Sequence, residues 1–273
     1  MIGLKTIYTI WLREFKIFMR EKFRIVAMIG QPLLYLLILG RGISAGMRLN
    51  STGNIDYLRF MYPGIIGMSI LFTSIFSALS IIWDREFGFL KEVLVAPVPR
   101  WAVALGKSFG GATIAMIQSA IMIAMAPIVG ITLSVVVLIE LFVLSFLLSF
   151  AVTSLGVLIA AKMESMQSFQ MVMNFLIMPL YFLSGAMFPM ASAPTWMKTL
   201  MVIDPLTYGV DALRNVIFSG TTITIGQSTV PLLEVARTSG LIRWTLAFDV
   251  LIMFTAAAVL AVAGAYSFSR SNN

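Results

Sequence analysis

The sequence predicts an all-α polytopic membrane protein with six transmembrane helices. Three observations carry that reading. First, 59% of the 273 residues are hydrophobic and 11% are charged, against about 25% charged in an ordinary soluble domain. There is too little charge to form a soluble protein's shell, so most of the surface must face something apolar. Second, uncharged runs recur at 60–83, 108–139, 141–161 and 165–197, each long enough to cross a hydrocarbon core. Third, the net charge of +7 comes from 19 Lys and Arg against 12 Asp and Glu. The basic residues sit beside the apolar runs, which is the pattern of membrane orientation. They form no stripe of the kind that binds nucleic acid.

Residues 1–24 are no signal peptide, because basic residues run through the whole segment. Lys5, Thr9, Arg13, Lys16, Arg20 and Arg24 share one helical face, and Leu4, Tyr8, Trp11, Phe15 and Phe18 form an apolar one. Such a helix suits the headgroup plane; a solvated helix packed on a partner subunit is the alternative. The first span is expected at about 25–46, with Pro32 as a possible kink and Arg41 snorkelling to the surface. The second is 60–83. The run after Ser108 exceeds one crossing, and Pro127 to Gly130 offers a turn. This gives spans at about 104–127 and 133–160, with Glu140 close to the outer interface. A fifth is placed at 168–187. The last, 244–266, opens on Trp244 and carries Asp249 in its first turns.

Residues 188–243 are too apolar for an ordinary loop and too broken for a span. Asp204-Pro205 reads as an N-cap followed by proline at the first helical position, so a helix is expected over Pro205–Phe218. Broken apolar pieces of this kind fit a re-entrant element at 189–218; a compact external cap is the other reading. Residues 219–239 are polar and Thr-rich and read as an external loop.

With six spans, 12 of the Lys and Arg fall on the side of 1–24, 84–107, 161–167 and the tail, and 7 on the other. The positive-inside rule then puts both termini in the cytoplasm of a cell (inner) membrane protein. Much of the bias comes from residues 1–24, so a five-span chain is a weaker alternative.

No Cys and no His are present, which excludes disulfides, thiol nucleophiles, Cys or His metal ligands and the usual neutral-pH base. Gly106-Lys107-Ser108 resembles the end of a phosphate loop, but Trp101 stands where its first Gly belongs. Lys107 is instead expected at the cytoplasmic interface. Gly106 and Gly110 have a spacing that lets helices approach. Asn50-Ser51-Thr52 is an acceptor pattern common by chance.

The loop 84–100 is the informative one. Phe87, Leu90 and Leu94 share a helical face, and Pro97 and Pro99 end the helix. An amphipathic helix displayed there either docks into an apolar groove or lies on the membrane. Asp84-Arg85-Glu86-Phe87-Gly88 with Pro97-Val98-Pro99 resembles the coupling segment of ABC-2 type transporter permeases. So do Leu183-Ser184-Gly185, Phe188-Pro189, Asp204-Pro205-Leu206-Thr207-Tyr208 and Val210-Asp211-Ala212-Leu213-Arg214. Order and spacing match along nearly the whole chain, most closely the drug-resistance and nodulation-type export permeases. Asp204 departs from the pattern, standing where Asn is expected, though Asp caps a helix as well.

The resemblance implies a coupling helix over 84–95 that touches a separate ATPase, with Asp84, Arg85, Glu86, Phe87, Gly88, Leu90, Lys91 and Leu94 in it and Pro97 at its end. It implies a connecting helix over 1–24. It implies an outer-gate element carrying Gly185, Pro189, Asp204, Pro205, Tyr208, Gly209, Asp211 and Arg214. ATP and Mg would be held by ATP-binding-cassette ATPase subunits, this chain taking no cofactor. The pathway would lie between two copies in the bilayer, and the cargo would be a drug-like, lipid-like or glycolipid amphipath. The rivals are an ion-coupled transporter, which needs paired ionisable residues at mid-depth, and a membrane enzyme, for which no His, Cys or paired deep carboxylates are available.

Overall fold

The computed structural model describes residues 2–35, 38, 57–89, 93, 95, 97–225 and 228–270. Eleven helices are named here in chain order. They are α1 (Ile2–Arg20), α2 (Lys22–Tyr35), α3 (Tyr57–Ser77), α4 (Leu79–Glu86), α5 (Arg100–Ala124) and α6 (Val135–Ala160). Then follow α7 (Met166–Leu183), α8 (Thr195–Ile203), α9 (Pro205–Ser219), α10 (Leu232–Thr238) and α11 (Leu246–Arg270). One antiparallel hairpin, β1 (Thr222–Ile225) with β2 (Ser228–Pro231), occupies part of the expected polar loop. Its β-branched Thr and Ile residues favour a pleated ribbon once paired.

Among the described residues, four helical stretches are long and apolar enough to cross a membrane: Leu58–Glu86, Val135–Ala160, Met166–Leu183 and Leu246–Arg270. The first combines α3 and α4. The 25-residue α5 runs beside them and is interrupted in its apolar character by Lys107 and Gln118, both buried. Contacts fix the direction of each. Lys107 of α5 meets Asp84 of α4, and the Tyr62 hydroxyl of α3 donates to the Met122 carbonyl of α5 at 2.6 Å. Arg85 reaches the end of α6, and Trp83 donates to the Met166 sulfur at the start of α7. Arg100 donates to the Ser269 carbonyl near the end of α11. Thus α3–α4, α5, α6, α7 and α11 alternate in direction through one bundle. The expected first span is described only through α2; its remainder lies outside the described residues.

Helix ends follow local chemistry. Ser134 caps α6 through the Val137 N–H, and Ser165 caps α7 through the Ser168 N–H. Gly130, at φ +72°, closes the turn between α5 and α6. The main apolar core is centred on α3, α5, α6 and α9 and holds Tyr62, Phe60, Ile66, Leu148 and Leu213, and a smaller cluster gathers Met190, Ala193 and Met201. The outward faces of α6, α7 and α11 leave Val143, Phe175, Phe254 and Val262 exposed, the arrangement of helices solvated by lipid instead of water.

The expected interfacial helix is α1, but its docking differs from the two-face pattern. The buried stripe is Thr6, Ile10, Glu14 and Phe18, and only Phe18 belongs to the expected apolar face. Leu4 and Tyr8 point outward. The stripe sits on Gly106 and Gly110 of α5, where an added Cβ would lie 2.7 Å from Ile10 and from Glu14 respectively. The small-residue ridge therefore receives a helix. Lys107, expected at the cytoplasmic interface, is buried beneath α1.

Candidate functional site

Two regions gather the residues singled out in the sequence, one at each end of the bundle. At the α1 end, the helix expected over 84–95 is interrupted. Asp84, Arg85 and Glu86 complete α4, and the chain turns at Phe87 and Gly88. Gly88 has φ +80° with nothing within 4 Å of where a Cβ would stand. That conformation favours glycine and stops the helix, with N–H groups of residues 87 and 88 closing onto the carbonyls of Trp83 and Arg85. Leu90, Lys91 and Leu94 lie outside the described residues.

Side chains of this segment divide sharply. Phe87 is 80% exposed, and Glu86 and Pro97 are exposed too. Asp84 and Arg85 face the other way. Asp84 accepts from Arg13 at 2.6 and 2.9 Å and from Lys107. Arg85 donates to the carbonyls of Met163 and Ala161 at 2.6 and 3.1 Å. A helix leaves its last four carbonyls unpaired, so Arg85 closes the end of α6 across the loop. Its guanidinium is thus engaged within the chain. Two cavities flank the segment. One of about 380 Å³ includes Arg24, Phe76, Trp83 and Phe87 in its lining; the other, about 370 Å³, runs between α1 and Phe89, Val93 and Val98.

At the opposite end, α8 and α9 form a helix–turn–helix. Asp204 caps α9, its Oδ1 accepting from the Leu206 N–H at 2.9 Å, and Pro205 takes the first helical position. The expected helix Pro205–Phe218 is thus present and one residue longer. Thirteen of its residues, Leu206 to Phe218, are buried. Gly209 packs on Leu148 of α6, and Tyr208 meets Trp244 in a tilted ring contact with centroids 4.7 Å apart while donating to the Val202 carbonyl at 2.7 Å.

Polar groups on α9 hold the surrounding loops. Asp211 accepts from the N–H groups of Arg243 and Trp244 at 3.2 and 3.1 Å. Burial pushes its carboxyl above the ordinary range, against the pull of Arg214 and those N–H groups. Arg214 donates to the carbonyls of Leu241 and Gly185 at 3.1 and 2.9 Å and lies 4.4 Å from the centre of the Phe60 ring. Gly185 itself turns at φ +71°, and Pro189 leads into a short 3-10 turn. One arginine in the middle of α9 therefore binds the turn after α7 and the segment before α11.

Sequence reasoning did not anticipate that Glu14 joins Asp84 and Lys107. Glu14 falls on neither face of α1 that the pattern defines; an acid within a basic amphipathic helix was the available signal. Asp249, placed in the first turns of the last span, is 0% exposed, and neither carboxylate oxygen has a hydrogen-bond partner among the described residues.

The chain is 32% identical over 198 residues to the putative transport permease ycf38 of Cyanophora paradoxa, covering 71% of this chain and 68% of that one. It is 26% identical over 196 residues to the probable multidrug ABC transporter permease YbhR of Escherichia coli, covering 68% of this chain and 51% of that one. Nodulation protein J of Rhizobium leguminosarum bv. trifolii is 26% identical over 201 residues, with 73% and 76% covered. The profile of the ABC-2 type transporter family matches residues 5–218, across α1, the exposed loop and the buried helix α9, and the chain belongs to that family.

Proposed function

We propose that this chain is the permease subunit of an ATP-driven exporter in the cytoplasmic membrane. In this reading it crosses six times with both termini inside, pairs with a second copy and lines the pathway between the two. Separate ATPase subunits bind ATP and Mg and supply the energy. The observation that carries the reading is the loop after α4. It leaves a long apolar helix, presents Phe87 to the outside, and is braced from within by Asp84 and Arg85. A large apolar side chain held out by a fixed root suits docking on a partner, and full burial of such a group contributes about 1.5–3 kcal/mol. The α8–α9 element is read as re-entrant near the outer gate. The probable-multidrug name of one relative supports a drug-like cargo.

The test is capture of an ATPase subunit by the purified chain. Phe87→Asp should release the ATPase, or leave it bound with hydrolysis no longer stimulated by cargo, while the chain still inserts. Wild-type capture and stimulation by both Phe87→Asp and Gly88→Trp would refute the coupling role.

Asp249 favours a second reading, because a buried acid in a span, here within electrostatic reach of Asp211, is the kind of group ion coupling would use. Transport by the purified chain under an ion gradient alone would establish it.

A further inference from the structure

Asp84 and Lys107 flank the loop that joins α4 to α5, and they touch across the 23 residues that separate them. They belong to a closed ring of four charges. Arg13 donates through Nη1 and Nη2 to Asp84 at 2.9 and 2.6 Å, and Asp84 accepts in turn from Lys107. Lys107 Nζ donates to Glu14 Oε1 at 2.6 Å, and Glu14 Oε1 accepts from Arg13 at 3.0 Å. Two cations and two anions alternate, so the ring is neutral. Lys107 has three ammonium protons, and Asp84, Glu14 and the Ser80 hydroxyl at 3.1 Å offer an acceptor for each. The side chains of Lys107, Glu14 and Asp84 are 3%, 7% and 8% exposed.

Such a ring is a poor way to gain stability. Desolvating four charges offsets most of their attraction, and apolar residues of equal volume hold helices together at least as well. What a hydrogen-bonded ring supplies is register. It adds directional polar contacts among α1, α4 and α5 to the shape fit of Ile10 and Glu14 over Gly106 and Gly110. The ring also lies immediately inside the exposed loop: Asp84 is three residues before Phe87, and Arg13 lies 3.7 Å from the centre of the Phe89 ring.

We infer that Lys107 is a positioning residue that clamps both roots of the exposed loop to α1, so that displacement of the loop moves α1 and α5 as one body. This rests on the reading of the loop as the ATPase contact. Lys107 serves through the side chains it holds and touches neither nucleotide nor cargo.

The chain has no Cys, so spin labels can be placed at will. With labels at exposed Lys16 on α1 and exposed Lys162 beyond α6, pulsed electron resonance reports the position of α1 in the reconstituted complex with its co-purifying ATPase. The wild-type distance should change on adding ATP with vanadate. In Lys107→Met the change should fall by more than half while basal hydrolysis continues, and Lys107→Arg should restore it. Lys107→Met with Glu14→Gln leaves the neutral Arg13–Asp84 pair, guards against misfolding from an orphaned charge, and should behave as the single variant does. A charge-balanced double variant that moves α1 as far as wild type overturns the inference and leaves the loop reading intact. A wild-type chain that captures no ATPase overturns both.

Discussion

Gly110 stands against Glu14 with no room for a side chain: a Cβ there would lie 2.7 Å from the Cβ of Glu14 and 2.9 Å from its Cγ. Helix α1 is thus seated on the bundle at backbone range, and a charge of the buried ring is carried on the seat itself. Gly110→Val should unseat α1 and cost about 1–3 kcal/mol, the usual penalty for overpacking. Thermal unfolding in detergent measures the loss, and protease sensitivity confined to residues 1–20 would locate it. A variant as stable and resistant as wild type would mean that α1 packs elsewhere.

Topology is tested by labelling. Phe87 and Thr238 are exposed at opposite ends of the bundle. A single Cys at Phe87 should react only with reagents that reach the cytoplasm, and one at Thr238 only from outside. Reaction of both from one side would sink the alternating arrangement.

Much of this was legible in sequence because lipid imposes simple rules. Length and apolarity located the helices containing 135–160 and 246–270, and Asp204-Pro205 marked the start of α9 through capping chemistry that needs no tertiary partner. Pairings between distant segments were not legible. Asp84 and Arg85 look alike in sequence to Glu86, three charges in a row, and only the packing of α4 turns two inward and one outward. The break at Gly88 depends on a positive φ that composition alone does not announce. Glu14 was hidden because amphipathic periodicity finds apolar stripes, and its stripe is half polar.

Asp249 offers a test of the rival mechanism. A buried carboxyl with no partner is costly, whereas one poised for an ion is completed by it. Asp249→Asn should raise thermal stability by on the order of 1 kcal/mol or more and leave ATP-driven transport intact. A fall in stability, reproduced in wild type by removing a particular cation, would assign Asp249 to an ion site.

Arg214 is the most exacting residue of the buried turn. Its two Nη groups satisfy the Leu241 and Gly185 carbonyls, and its face rests on Phe60. Lysine cannot span two carbonyls with a planar fork, so Arg214→Lys should cost about 1.5–3 kcal/mol, the range for a hydrogen bond to a charged group. Arg214→Met should cost more, because both carbonyls then lose a donor in a buried setting. The neighbouring acid contributes less to this. Asp211 approaches Arg214 only to 4.0 Å and spends its other oxygen on the N–H groups of Arg243 and Trp244. The two residues are adjacent on α9 but serve different loops. A double-mutant cycle of Asp211→Asn and Arg214→Met should therefore show a coupling of about 1–3 kcal/mol, smaller than the effect of Arg214→Met alone. Coupling above that range would mean that the pair acts as a buried salt bridge and that the carbonyl contacts are secondary.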